Sequence, residues 1–118
     1  MSDRVIYVDR FEINDGKSDD LRDYAEEIAA IAEEQAPGVL SFHYYVDGDG
    51  GRGTAVIIFA DAPALDTYLE VASSHFQRGA RLLRSTDVEL LGQPSGDAAQ
   101  VATAYGGRVM PQIVSFDR

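Results

Sequence analysis

The sequence predicts an α+β fold in which two helices cover one face of an antiparallel sheet. Residues 54–60 are apolar on both faces, as in a strand inside a covered sheet. In the preceding run, Leu40, Phe42, Tyr44 and Val46 alternate with Ser41, His43 and Tyr45, the period of a strand with two different faces. The glycine-rich turn 47–51 joins these runs into a hairpin. Segments with helical spacing of apolar residues lie on both sides of it.

The first strand and helix precede the hairpin. Residues 4–13 are rich in β-branched and aromatic residues, and a strand there places Val5, Tyr7, Phe11 and Ile13 on one face. After a turn at residues 14–16, Ser18 is the predicted helix N-cap, with Asp19 and Asp20 in the first turn. The helical stripe that follows ends at Pro37-Gly38.

The second helix is predicted to begin with Asp61 as its cap and Pro63 in its first turn. Its apolar stripe continues through Leu83 and predicts a helix reaching Arg84, either continuous or divided in two at a weak point, Ser73-Ser74. Residues 86–91 predict a last strand. Beyond a linker at 92–96, residues 97–104 predict a short helix. Residues 108–116 predict an extended segment whose Pro111 favours an edge position.

The element order β-α-β-β-α-β is that of a ferredoxin-like domain, which we assign to residues 1–92. Residues 93–118 form a C-terminal extension with too many apolar side chains for a free tail, so we expect it to dock on its own subunit or on a partner. Both helices lie on the same side of such a sheet, which leaves an apolar second face. A homodimer closed through the sheets is the expected cover.

Composition excludes several classes of function. The 118 residues include no cysteine and carry a net charge of −10, which disfavours nucleic acid and anionic membranes as partners. The N-terminus lacks the apolar core of a signal peptide, and no run is long enough to span a bilayer. We therefore expect a cytoplasmic protein. Two histidines without a paired carboxylate motif predict no metal site.

Three short stretches resemble one known family. They are the APGVLSF entry into the second strand at residues 36–42, the strand end Phe59-Ala60-Asp61, and YLEVASSHF at residues 68–76. Over roughly residues 5–92 the chain resembles the antibiotic biosynthesis monooxygenases, which form dimeric α+β barrels. The resemblance implies that barrel, and an activity among those of a family whose members oxidise polyphenols with O2 and no cofactor, degrade haem or act on small signalling molecules. The chain departs from the family in having Tyr68 where relatives often carry a histidine, and in lacking tryptophan.

The candidate catalytic residues are His75, Tyr68 and Tyr44. His75 matches the histidine of the family helix, and its ordinary pKa suits proton transfer at neutral pH; the alternative is a histidine on the helix surface. The tyrosines lie on inward-facing stripes, where a phenol can hydrogen-bond an enolate, or where they are plain core. The candidate substrate-binding residues are Tyr7, His43, Phe76 and Arg78. The alternatives are a hydrogen-bonded barrel histidine for His43 and a charge placed favourably at a helix C-terminus for Arg78.

Two functions fit these residues. The first is a small cofactor-independent monooxygenase acting on an aromatic or enolisable molecule, which binds no cofactor and no metal. The alternative is a non-catalytic dimer of the same fold that binds a small ligand or is associated with stress. The sequence leaves open whether the protein is an enzyme.

Overall fold

The computed structural model describes residues 3–118 as a mixed five-stranded sheet with three helices. The strands are β1 (Val5–Ile13), β2 (Val39–Val46), β3 (Arg52–Phe59), β4 (Leu83–Leu91) and β5 (Arg108–Met110). The helices are α1 (Ser18–Gln35), α2 (Ala62–Gly79) and α3 (Gly96–Ala104). The sheet order is β2-β3-β1-β4-β5, antiparallel except that β5 runs parallel to β4. This confirms the predicted ferredoxin-like α+β fold and adds a fifth strand to it.

Strand β1 lies at the centre of the sheet, and its alternate residues define the two faces. Val5 pairs with Phe59 and Tyr7 with Ile57, on the face that α1 and α2 cover. The helices contribute buried apolar side chains to this layer, among them Leu21, Ile28, Leu65 and Ala72. This layer between helices and sheet is the main hydrophobic core.

The start of α1 differs from the prediction. Lys17, and not Ser18, occupies the N-cap position, and no side chain caps the helix there. The Ser18 hydroxyl instead donates to the carbonyl of Gly50 at 2.9 Å, which ties the helix to the β2–β3 turn. A tertiary hydrogen bond has therefore replaced the local cap.

Helix α2 begins as predicted, because the Asp61 carboxylate accepts from the Ala64 amide at 2.9 Å. Of the two alternatives at Ser73-Ser74, the continuous helix is the one observed. The helix runs unbroken to Gly79, and the Ser73 hydroxyl is satisfied by the Glu70 carbonyl at 3.2 Å. The predicted extension to Arg84 is wrong, since Leu83 already begins β4.

A β-bulge shifts the pattern of β2. The pairing with β3 steps from Val39 directly to Ser41, so Leu40 is the extra residue and is 50% exposed. The prediction that Leu40 shares a face with Phe42 is wrong for this reason. Val39, Phe42 and Tyr44 point toward the helices.

The C-terminal extension packs at the β4 edge of the sheet and adds β5 to it. Ala98 and Ala102 of α3 are buried, and β5 forms the sheet edge that Pro111 predicted. The strand ends at Met110, however, and not at Phe116. Residues 111–118 continue without regular structure. Treating residues 93–118 as a separate unit stays a prediction.

The face of the sheet opposite the helices, here called the open face, carries an apolar row at its centre. Val8 lies beside Val56, and Ile6 beside Ile58 and Leu91. Phe116 of the extension lies near this row. Ile113, Val114 and Phe116 are 92%, 77% and 78% exposed. Within the described chain no helix combines the length and apolarity needed to cross a membrane.

Candidate functional site

An acidic side chain interrupts the apolar row of β1 beneath the helices. Asp9 shares its face with Val5, Tyr7, Phe11 and Ile13, and it lies beside Ala55 on β3 and Val88 on β4. The Tyr7 hydroxyl donates to Asp9 Oδ2 at 2.9 Å. The other oxygen, Oδ1, is buried and accepts no hydrogen bond of standard geometry from residues 3–118. An unsatisfied buried carboxylate oxygen is costly, so it points to a functional role.

A second bulge brings a hydroxyl group to Asp9. The pairing of β1 with β4 steps from Arg10–Asp87 to Phe11–Ser85, which leaves Thr86 as the extra residue. Its hydroxyl donates to the Arg10 carbonyl at 3.1 Å. Because the bulge reverses the alternation, Ser85 joins the face that carries Asp9. Its hydroxyl is close enough to lower the pKa of Asp9.

Four tyrosines surround this carboxyl group from both layers. Tyr7 and Tyr44 come from the sheet, and Tyr24 and Tyr68 come from the helices. Aromatic contacts hold the rings: Tyr44 stacks on Phe42 at 5.3 Å between centroids, and Tyr68 packs on Phe59 at 5.4 Å. Glycine at position 79 makes room for Tyr24, since a Cβ there would approach its hydroxyl to 2.6 Å.

The electrostatics of the cluster follow from its burial. Desolvation raises the pKa of Asp9, and the hydroxyls of Ser85 and Tyr7 act in the opposite direction. Desolvation also raises the pKa of all four tyrosines, and the negative charge of Asp9 raises each further. The phenols therefore stay protonated at neutral pH, and the carboxyl group is the one most readily moved between its two states.

The layer around Asp9 is less tightly filled than the rest of the core. Tyr7, Asp9, Phe42 and Tyr44 are only half-buried, although they lie on the covered face of the sheet. Neighbours on the same face, such as Val5, Phe11, Ile57 and Phe59, are almost fully buried. Part of this layer therefore keeps some exposure to solvent at the side of the phenols.

His75 and Arg78 lie together where α1 meets α2. His75 Nδ1 is 3.5 Å from Glu27 Oε1, and Arg78 Nη2 is 2.6 Å from Glu27 Oε2. The Arg78 guanidinium also lies 5.2 Å from the centroid of the Tyr24 ring. The next residue of the helix, Phe76, packs against Tyr68 with 6.3 Å between the ring centroids. These residues border the helix side of the tyrosine cluster.

His43 is separated from the other candidates. It lies on the open face, exposed, with its ring stacked on Tyr45 at 6.0 Å. The structure thus brings together Tyr7, Tyr24, Tyr44, Tyr68 and Phe76 around Asp9, places His75 and Arg78 at the border, and leaves His43 on the far side of the sheet. In the part of the chain described here, no three His, Asp or Glu side chains converge as metal ligands would.

Two surface grooves do not coincide with this cluster. One, of about 550 Å³, lies at the end of the β1–β3 strands beside Tyr45, Asp47, Arg52 and Thr54. The other, of about 560 Å³, lies beside the C-terminal tail and is lined by Ile6, Ile58, Leu91 and Phe116. Both are shallow and open to solvent, so neither desolvates a reacting group. We place the candidate site at Asp9, where a carboxyl group is held away from water.

Asp9 is the residue that the sequence did not reveal as part of a site. A signal was present, because an acidic residue at the middle of a period-two apolar row is unusual. The sequence held no such signal for Ser85. The bulge at Thr86 places Ser85 on the same face as Asp9, and the sequence pattern does not predict that bulge.

Comparison with known proteins identifies the family. The sequence profile of the antibiotic biosynthesis monooxygenases matches residues 4–82, which include β1, the tyrosine cluster and the whole of α2. The chain belongs to this family. A search of curated proteins by sequence finds no significant match.

Several solved structures share the fold. MupZ from Pseudomonas fluorescens superposes with a TM-score of 0.88 at 16% identity, over 100% of this chain and 91% of MupZ. SnoaB from Streptomyces nogalater, a cofactor-independent oxygenase, superposes with a TM-score of 0.67 at 20% identity, over 80% of this chain and 96% of SnoaB. Rv0793 from Mycobacterium tuberculosis superposes with a TM-score of 0.65 at 19% identity, over 78% of this chain and 96% of Rv0793. The MupZ match therefore includes the C-terminal extension.

Proposed function

We propose that the protein is a cofactor-independent monooxygenase-like enzyme acting on an aromatic or enolisable small molecule. The observation that carries this proposal is the ring of four tyrosines around a desolvated carboxyl group, in a chain of the antibiotic biosynthesis monooxygenase family. The likeness in fold to SnoaB supports the same class of reaction.

The chemistry needs a dry, aromatic site. An enolisable molecule bound between the helices and the sheet stacks against rings such as Tyr44, Phe42 and Phe76. Once it loses a proton, the phenols of Tyr44 and Tyr68 donate hydrogen bonds to its enolate oxygen, because their raised pKa values keep them protonated. The electron-rich enolate then reacts with O2. His75 and Arg78, at the border of the cluster, are proposed to exchange protons and to hold a polar substituent.

We also propose that the protein works as a homodimer closed through the open face. Supporting this are the half-buried apolar side chains of Ile6, Val56 and Ile58 and the exposed Phe116 nearby. Covering large apolar side chains contributes about 1.5–3 kcal/mol each. In such a dimer the site at Asp9 stays within each subunit, on the other side of the sheet.

Oxygen uptake with purified protein tests the proposed function. Anthrones and dihydroquinones serve as substrates, and for anthrone the product to be measured is anthraquinone. We expect Tyr44→Phe and Tyr68→Phe to lose about 10–100-fold in rate, since a hydrogen bond to a charged group contributes about 1.5–3 kcal/mol. The matched control is Tyr45→Phe, because Tyr45 is the next residue on β2 and points to the open face.

His75→Ala tests the catalytic role predicted for His75 in the same assay. Uptake by the wild type that falls in Tyr44→Phe and Tyr68→Phe but persists in Tyr45→Phe supports an interior active site. A flat trace across the whole panel contradicts an oxygenase and favours the alternative, a ligand-binding dimer.

A further inference from the structure

We propose that Asp9 is the group that takes the proton from the substrate, through its unpartnered oxygen Oδ1. This inference rests on the proposed function and deepens it. It assigns the removal of the proton from the substrate to a residue on the central strand instead of to a histidine or tyrosine. It also narrows the substrate class to molecules with an acidic C–H or O–H group that can reach the floor of the tyrosine cluster.

The geometry distinguishes the two oxygens of Asp9. Oδ2 is occupied by the Tyr7 hydroxyl at 2.9 Å, which fixes the plane of the carboxylate. Oδ1 is buried and accepts no hydrogen bond of standard geometry from the described residues, and the Ser85 hydroxyl lies near the carboxyl group. Because a carboxylate oxygen has two acceptor sites, Oδ1 keeps one for a substrate proton. A general base must hold an acceptor oxygen within hydrogen-bond reach of the proton that it removes, and Oδ1 is the oxygen of Asp9 that Tyr7 leaves available.

The surroundings suit proton transfer at neutral pH. Tyr7 and Tyr44 give Asp9 aromatic neighbours in place of water, and burial favours its neutral form. The carboxyl group is therefore a stronger base than an exposed aspartate, and it can release the proton again later in the cycle.

The reaction balances without a further reductant. The Asp9 carboxylate removes one proton from a methylene carbon, and the electron pair stays on the substrate as an enolate. The enolate reduces O2, a C–O bond forms, and the resulting peroxide anion takes the proton back from Asp9. A second deprotonation at the same carbon breaks the O–O bond, forms the carbonyl group and releases hydroxide, which leaves as water with the proton from Asp9. The net change is CH2 + O2 → C=O + H2O.

Anaerobic hydrogen exchange isolates the first step. Wild type, Asp9→Asn and Asp23→Asn are each incubated with anthrone in D2O under argon, and deuterium at the methylene carbon is followed by mass spectrometry. Asp23 is an exposed residue of α1, so its variant removes a carboxylate that is not part of the buried cluster. Circular dichroism and bound-ligand fluorescence check that Asp9→Asn is folded and still binds anthrone.

We expect Asp9→Asn to lose at least about 100-fold in exchange rate, the usual contribution of a general base, while Asp23→Asn matches the wild type. Exchange in Asp9→Asn at the wild-type rate overturns the assignment of Asp9, even if oxygen uptake continues. An absence of exchange in the wild type with every compound of the panel overturns it as well. Exchange that depends on Asp9 without oxygen uptake supports Asp9 as the base and contradicts the oxygenase.

Discussion

Tyr7 and Asp9 are two residues apart on the central strand, and the hydroxyl of the first donates to Oδ2 of the second at 2.9 Å. The period of a strand puts both side chains on the covered face of the sheet. The hydrogen bond engages Oδ2 and leaves Oδ1 outside the pair. Burial raises the pKa of Asp9, and the hydroxyls of Ser85 and Tyr7 lower it, so burial and these two hydroxyls together set the basicity of the site.

Asp9→Asn should stabilise the protein at neutral pH. Folding raises the pKa of Asp9 above its unfolded value of about 3.9, so the folded chain binds more protons between the two values. The free energy of unfolding contributed by Asp9 therefore falls as the pH rises through that window. We expect the free energy of unfolding of the variant to exceed that of the wild type by roughly 0.5–2 kcal/mol at pH 7. This difference should shrink toward pH 4. Urea unfolding at several pH values measures this.

The control for this experiment is Asp23→Asn, which should show no such pH-dependent gain. A loss of stability in Asp9→Asn at pH 7 would mean that the carboxylate is satisfied in the folded protein, which contradicts the description of Oδ1 as unpartnered.

Tyr7→Phe should move the pH profile of the deuterium exchange. The hydroxyl of Tyr7 lowers the pKa of Asp9, so its removal raises that pKa. The base must be ionised, and the acid limb of the rate profile should therefore shift to higher pH. Tyr45→Phe should leave the limb in place. A lower rate with an unmoved limb would show that Tyr7 acts only in packing.

Gly79→Ala should destabilise the fold, although alanine is the better helix former by about 1 kcal/mol. The added Cβ would lie 2.6 Å from the Tyr24 hydroxyl, and the ring must then move within the cluster. We expect a loss of about 1–3 kcal/mol in the free energy of unfolding. Gly96→Ala is the matched control, because a Cβ at position 96 meets no atom within 4 Å. Equal stability in the two variants would contradict the described packing of Tyr24.

Val56→Glu should dissociate the proposed dimer. Val56 lies on the open face beside Val8, and a two-fold interface would bury the new charge twice. Light scattering should give twice the 12.8 kDa chain mass for the wild type and the chain mass for the variant at micromolar concentration. Ala30→Glu adds the same charge at an exposed position of α1 and should stay dimeric. A monomeric wild type would refute the interface.

The order of the elements was readable from the sequence, because the hairpin at residues 40–60 and the two helical stripes have unambiguous periods. One error came where a tertiary contact overrides a local preference, because Ser18 bonds to Gly50 instead of capping its helix. Within α2, where the sequence left a break open, the Ser73 hydroxyl donates to the Glu70 carbonyl of the same helix and the helix continues.

The candidate site was only partly predictable. Tyr7, Tyr44 and Tyr68 followed from alternation and helical spacing, and the structure brings them together with Phe76. Asp9 was passed over because an isolated acid on a strand has no motif. Ser85 depends on the bulge at Thr86, and no residue pattern in β4 fixes its position.

The central claim is that a planar substrate binds between the helices and the sheet, above Asp9. Methyl NMR of Ile, Leu and Val labelled protein, titrated with 1,8-dihydroxyanthraquinone, tests it most directly. The methyl groups of Ile57, Leu65 and Leu90 lie in that layer, whereas those of Ile6, Val56 and Ile58 lie on the open face. We predict saturable shifts of the first three. Shifts confined to the second three, or no saturable shift at all, would contradict the account.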